Sequence, residues 1–393
     1  MPPKQRIYLD NAATSWPKPD AVYDAVDHFQ REIGAPNGRS SYSEAQEANR
    51  IIERARRGVA ELIGAADTSQ IIFGFNGTDV LNISIRGVVR PGDHVITTVC
   101  DHNSVLRPLR DLHETAGVAV TYVPCDSEGF VSPDDVREAM RPNTRMVAVS
   151  HASNVTGAIQ PIDDIGRAVR ESDALYLVDA AQSLGHVPID IRKFEVDLLA
   201  APGHKGLLGP TGTGVLYIRP GVERDLRPLR CGGTGTQSDE DRQPDVMPDK
   251  YEPGNHNLPG LAGLSAALEF LQDTSVEAIH AHHTELTKRL LDGLNAIAEV
   301  TVYGPPTTAN RTSVIGITVE GYDPQELAAI LDSTQGIQCR AGLQCAPRMH
   351  ESLGTAANGG TLRLAPGYST TLDQIDTVLR TLHNVAKEVG SLR

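Results

Sequence analysis

The stretch DLLAAPGHKGLLGPTGTGVLYI, Asp197 to Ile218, sets one lysine, Lys205, among Gly203, Gly206, Gly209, Gly212 and Gly214, and runs into the apolar segment GVLYI. A P-loop is excluded, because there Gly-Lys is followed by Ser or Thr and opens a helix. Here Lys205 is followed by Gly206 and the chain enters a strand. Moving upstream, HVITTV (His94–Val99), VAVTYV (Val118–Val123), RMVAVSH (Arg145–His151) and ALYLVDA (Ala174–Ala180) read as strands separated by helical stretches. Two helices precede them, over Asp20–Ile33 and Ser43–Gly64, the second with Ser43 as N-cap. Strands alternating with helices predict βαβ units, an α/β class fold and a mostly parallel sheet.

Downstream, the Gly- and Pro-rich segment from Arg230 to Gly260 is too long for a tight connection and reads as a functional loop. A helical stretch follows from Leu261 to about Ile297, and SVIGITV (Ser313–Val319) and TLRLAP (Thr361–Pro366) read as strands of a smaller C-terminal α+β domain. The expected division is a large domain over 15–260 and a small one over 261–393 joined by 1–14.

The 393 residues are 40% hydrophobic and carry a net charge of -14. That balance argues against nucleic acid or an anionic membrane as the main partner. No apolar run reaches the roughly 20 residues that span a bilayer. The start, MPPKQRIYLD, has no signal-peptide core, so cytoplasm is the expected compartment. Five cysteines are few and odd in number, which speaks against a disulfide framework.

Ligands of parallel sheets bind beyond the carboxyl ends of the strands, so polar residues just after each strand are the candidates. Glycines let a backbone approach a ligand, and a desolvated lysine forms Schiff bases; for Lys205 a plain surface turn is the competing reading. Asp179 ends an apolar strand, with Gln182 three residues on. In pyridoxal phosphate (PLP) enzymes an acidic partner faces the pyridinium nitrogen while a lysine holds the aldehyde; the alternative for Asp179 is a helix N-cap. Gly77 and Thr78 open a helical pattern, which suits phosphate or a simple cap. His102 follows HVITTV and either stacks on a flat ring or caps the next helix, and Asn154 follows RMVAVS.

Taken together, Thr78, His102, Asn154, Asp179, Gln182, His204 and Lys205 occur in an order and spacing that resemble the class V aminotransferase family of fold-type-I PLP enzymes, and within it the cysteine desulfurases and selenocysteine lyases. The resemblance runs from IYLDNAAT (Ile7–Thr14) to GTLRLAPGY (Gly360–Tyr368). Its specific part is VDAAQ (Val178–Gln182) spaced from GHKGLLGPTGTG (Gly203–Gly214), supported by SHASNVTG (Ser150–Gly157).

The resemblance implies Lys205 as Schiff-base lysine and acid/base, Asp179 at the pyridine nitrogen, Gln182 at the phenolic oxygen and His102 stacked on the ring. It implies Gly77, Thr78 and His204 at the phosphate, and Asn154 and Arg363 at the substrate carboxylate, which a guanidinium binds bidentately. RAGLQCAP (Arg340–Pro347) resembles the Arg-x-Gly-x-x-Cys-Ala segment of SufS-like desulfurases, which implies Cys345 as the thiolate that takes the substrate sulfur as a persulfide. Arg340 or His350 is the expected source of its electropositive setting.

Two positions depart from the family pattern: Pro202 stands where many relatives have Ser or Thr, and Asn255 where many have Thr. Both changes remove a hydroxyl, though Asn255 keeps an amide donor. Cys100, Cys125, Cys231 and Cys339 read as small buried thiols. Cys339, Cys345 and His350 lack zinc-ligand spacing, and HAHH (His280–His283) reads as a solvated helix face, so no metal is expected.

The leading implication is a PLP-dependent cysteine desulfurase of sulfur metabolism, including iron–sulfur cluster assembly. It would act as a homodimer on L-cysteine, with a sulfur-acceptor protein as partner. Two other readings stand beside it. One is another enzyme on the same scaffold, a selenocysteine lyase acting on L-selenocysteine, an epimerase or an aminotransferase. The other is a non-catalytic sulfur carrier or assembly partner.

Overall fold

The computed structural model describes residues 6–38, 40–237 and 239–390. The ends of the expected small domain, 1–5 and 391–393, lie outside the described residues. The chain begins with β1 (Ile7–Tyr8), α1 (Asp20–His28), α2 (Ser43–Ile63), β2 (Ile71–Gly74), α3 (Gly77–Val88), β3 (His94–Thr98), α4 (Asn103–Ala116) and β4 (Ala119–Val123). It continues through α5 (Pro133–Glu138), β5 (Thr144–Ser150), α6 (Ile162–Val169), β6 (Leu175–Asp179), β7 (Leu198–Pro202) and β8 (Gly214–Ile218). After the long loop come α7 (Leu258–Thr274), α8 (Val276–Asn295), β9 (Val300–Tyr303), β10 (Ile315–Val319), α9 (Pro324–Gln335), β11 (Ile337–Gln338), β12 (Arg340–Gly342), α10 (Pro347–Ser352), β13 (Thr361–Leu364) and α11 (Leu372–Gly390).

Seven strands make the main sheet in the order β2-β8-β7-β6-β5-β3-β4. The five strands from β7 to β4 run parallel, and β8 is antiparallel to both β7 and β2. The alternation of strand and helix thus yields the mostly parallel α/β sheet that the sequence predicts. Side chains alternate across each strand, and both faces are covered. Val147, Val149, Tyr176 and Val178 face one core together with residues of α1, α2, α6 and α7. Met146, Ala148, Leu175 and Leu177 face the other with residues of α3 and α4. Strands buried on both sides read as continuous apolar runs, which is why β6 and β8 stand out in the sequence. At the edge, β4 is half-buried up to Val123.

A second, antiparallel sheet, β12-β13-β10-β9, shares its core with α8, α9 and α11. The N-terminal β1 pairs in parallel with β11, Ile7 opposite Ile337, and so lies with the C-terminal elements. Two expectations need correction. The single helical stretch from Leu261 is two helices, broken at Ser275, whose φ is +67° and whose side chain caps α8 at the Ala278 amide. HAHH is not wholly solvated: His283 is buried, its ring centroid 5.1 Å from that of His186, because this face of α8 packs inward.

Candidate active site

The carboxyl ends of β2, β3, β5, β6 and β7 deliver their following residues to one cavity of about 210 Å³. Gly77 and Thr78 reach it from the start of α3, His102 from the end of β3, Asn154 from β5, Asp179 and Gln182 from β6, and His204 and Lys205 from β7. Ala12 and Ala13 close it from the N-terminal segment, and Arg340 and Arg363 enter from neighbouring strands of the small sheet, where they are paired in register.

The side-chain amine of Lys205 has neither a hydrogen bond nor an ion pair among the described residues. Burial lowers its pKa to about 8; Asp179 opposes that shift, and Arg363 and Arg340 add to it. Burial raises Asp179 to about 6, although the Ala181 amide donates to its Oδ1 at 2.9 Å and Lys205 pulls the other way. His102 is lowered to about 4 by burial, then by Lys205 and Arg340. The Ser104 amide donates to its Nδ1 at 3.0 Å, so the neutral ring carries its proton on Nε2. His102 therefore caps α4 while also lining the cavity. The Ser104 hydroxyl lies 2.8 Å from that of Thr78, tying the two helix starts together. His204 is likewise lowered to about 4 by burial, and its buried Nδ1 has no partner among the described residues.

Arg363 is buried and held by two contacts: Nη2 donates to Asp10 Oδ1 at 2.6 Å and Nη1 to the Asn154 carbonyl at 3.1 Å. Its Nε is buried without a partner among the described residues. Cys345 is not in the cavity lining, but Arg340, which is, donates from Nη2 to its Sγ at 3.3 Å. His350 is not a source of positive potential there. Burial lowers its pKa to about 4, and both ring nitrogens are engaged, by Gln344 and Thr355. Of the thiols expected to be buried, Cys100 is, while Cys125 and Cys339 are half-buried and Cys231 is exposed on the long loop. Burial pushes Cys339 up to about 12.

Asn255 is not brought to this cavity. It is exposed and lines a small separate one beside Phe75 and Arg230. The glycines around Lys205 also act differently from expectation, approaching other protein atoms, backbone at Gly206 and Gly214 and side chains at Gly203 and Gly212, and not ligand space. A Cβ on Gly206 would lie 2.2 Å from the Leu184 carbonyl oxygen, and one on Gly214 would lie 2.5 Å from that of Asn76. They dock the lysine loop tightly against the adjoining turns.

Several supporting residues escaped the sequence reading. Asp101 is buried and accepts five hydrogen bonds, from Thr97 Oγ1, from the amide and hydroxyl of Thr98 and from those of Ser150. It locks the turn that carries His102 onto β5. Asp10 fixes Arg363, and Gln344 anchors the Cys345 loop. Asp10 lies in the quoted YLDNAAT motif, the one available signal; Asp101 and Gln344 have none, because their roles also need Ser150 and Asn154, which lie 49 and 190 residues away.

A sequence model of the aminotransferase class-V family matches residues 7–378. A relative from Methanothermobacter thermautotrophicus named probable cysteine desulfurase is 36% identical, over 98% of this chain and 95% of its own. The apo structure of a cysteine desulfurase from Thermococcus onnurineus NA1 superposes with a TM-score of 0.91 at 32% identity, covering 98% of this chain and 95% of that one. A cysteine desulfurase structure from Escherichia coli gives 0.87 at 28% identity, with 97% and 94% covered. The architecture is accordingly that of the fold-type-I PLP enzymes. With family match, full-length relatives and fold in agreement, the chain belongs to the aminotransferase class-V family.

Proposed function

We propose that this protein is a PLP-dependent cysteine desulfurase that converts L-cysteine to L-alanine and retains the sulfur as a persulfide on Cys345. The observation that carries the reading is a lysine without an ionic partner and a buried carboxylate on one cavity, with a cysteine thiol held at its rim by an arginine from the lining.

The residues fit the cofactor. Lys205 offers its amine to the aldehyde, Asp179 its carboxylate to the ring nitrogen, and Gln182 an amide donor to the phenolic oxygen. His102 supplies a flat neutral ring. Gly77 and Thr78 at the start of α3 suit the phosphate, as does the unpartnered His204 Nδ1. Asn255, exposed and outside this cavity, would hold a phosphate only across a subunit interface. When bound, PLP supplies an electron sink that weakens the substrate Cβ–S bond.

The protein supplies the rest. Lys205, with its pKa lowered to about 8, is suited to take the proton from the substrate Cα and return one. Arg363 orients the carboxylate through its free Nε, with Asn154 beside it. The Cys345 sulfur attacks the substrate sulfur, and the Arg340 cation at 3.3 Å steadies the charge on the attacking atom. The balance is L-cysteine plus the Cys345 thiol giving L-alanine plus the Cys345 persulfide, with no external oxidant or reductant.

The same reading includes a homodimer, supported by the exposed Trp16, Phe75 and Leu343, and a sulfur-acceptor protein. It also includes the division into 15–260 and 261–393 with 1–14, supported by the pairing of β1 with β11. No helix among the described residues is long and apolar enough to cross a membrane. All five cysteines are free, which suits the reducing cytoplasm.

The test is an alanine and sulfide assay with a thiol reductant, on L-cysteine and L-selenocysteine in parallel. Equal formation of alanine and sulfide from L-cysteine is expected. Turnover of selenocysteine alone would reassign the enzyme as a selenocysteine lyase, and no alanine from either would sink the proposal.

A further inference from the structure

We propose that His350, acting through the side chain of Gln344, is the positioning residue that holds Cys345 in its reactive conformation; this rests on the reading of Cys345 as the sulfur acceptor. Gln344 and Cys345 are consecutive residues in the left-handed region, with φ of +41° and +61°. Side chains with a Cβ rarely adopt that region, and two in succession persist only where surrounding contacts enforce them.

The contacts are specific. Gln344 is buried, and its Nε2 donates to the Thr361 carbonyl at 2.6 Å. A carbonyl only accepts, so the amide orientation follows and Oε1 must face His350, whose Nε2 lies 2.7 Å away. Oε1 likewise only accepts, so His350 carries its proton on Nε2, and its Nδ1 accepts from the Thr355 hydroxyl at 2.8 Å. The imidazole is fully buried, and burial lowers its pKa to about 4, keeping it in this single neutral form. Two further bonds complete the clamp. Asn154 Nδ2 donates to the Gln344 carbonyl at 2.6 Å, and the Asn103 amide at the start of α4 donates to the Cys345 carbonyl at 2.8 Å. His350 thus sits behind the nucleophile, on α10, and sets the loop that presents the Cys345 sulfur to Arg340.

The experiment compares His350→Leu, which removes the donor, with His350→Gln, whose amide nitrogen reaches the same point, in the full-length loaded enzyme. Two readouts are taken: steady-state kinetics with L-cysteine, and the rate at which iodoacetamide labels the Cys345 peptide without substrate. His350→Leu is expected to lower kcat and the labelling rate at least 10-fold, with KM and the visible cofactor spectrum unchanged. His350→Gln should recover most of both.

Gln344→Leu should reproduce the loss, and the double variant should be no worse than either single one, since they act as one unit. Wild-type kcat and labelling in His350→Leu, or additive losses in the double variant, would overturn the proposal. If His350→Leu fails to fold, Gln344→Leu decides alone, wild-type labelling counting against. Cys345→Ala runs alongside: full sulfide release there would refute the nucleophile itself, a result distinct from failure of the positioning role.

Discussion

Lys205 and Cys345 divide the proposed chemistry between a proton carrier inside the cavity and a nucleophile at its rim. Lys205→Ala is expected to lower alanine formation by about 10²–10⁴-fold, the range for a positioned acid/base, and to abolish borohydride-dependent attachment of the cofactor to the protein, checked by mass spectrometry. Cys345→Ala should retain that attachment yet form no protein persulfide. Arg340→Ala removes a charged contact worth about 1.5–3 kcal/mol, so persulfide formation in single-turnover assays should slow by roughly 10–150-fold. At this scale the sequence was informative wherever a polar residue directly follows an apolar strand, as with Asp179, His102 and Asn154. It was silent on Asp101, Asp10 and Gln344, whose importance lies in partners up to 353 residues away. It left Arg340 and His350 as alternatives for the charge near Cys345, because charge state depends on burial, and burial is a property of the packed chain.

The loop from Arg230 to Gly260 illustrates the same point for elements. Its Glu252 forms a buried ion pair with Arg56 of α2: Nη1 donates to Oε1 at 2.9 Å and Nη2 to Oε2 at 2.8 Å. The Phe73 amide of β2 and His256 also meet the carboxylate, at 2.6 and 2.9 Å. One side chain thereby fastens loop, helix and edge strand. Glu252→Ala leaves Arg56 buried and unpaired, which costs about 3–5 kcal/mol; urea unfolding should show that loss, with α2 and β2 losing hydrogen-exchange protection first. Composition alone marks this segment as a loop, since Gly, Pro and polar residues dominate it. Its anchoring needs two residues 196 apart to meet.

Over the whole molecule, buried imidazoles set the acid limit of stability. Burial lowers His94, His151 and His186 to about 4 and His283 well below its ordinary value. Unfolded, each binds a proton near pH 6.5. The unfolded chain therefore takes up more protons below that pH, and stability falls as pH drops from about 6.5 towards 4. For Glu252 burial acts upward, but Arg56 and His256 overcome it and hold the carboxyl at about 2. Its contribution, present above the ordinary value near 4.5, is lost between there and about 2. Melting followed by circular dichroism should show a midpoint that declines from pH 6.5 to 4 and falls further below 4.5; a flat profile would contradict the burial of these rings.

What the sequence by itself determined is the class of fold and the identity of the strand-end set. Short, continuous apolar runs between helical stretches have few ways to bury both faces except as a covered parallel sheet, and such a sheet gathers the residues after its strands at one end. Tertiary structure alone decided how those residues are held. It set the Lys205 loop against its neighbours through glycine packing, drew Arg340 and Arg363 in from a second sheet, left Asn255 outside the cavity, and bent Gln344 and Cys345 into the left-handed region. Each of these outcomes follows from contacts between segments far apart in the chain, and hydrogen bonding and desolvation act only once those segments meet.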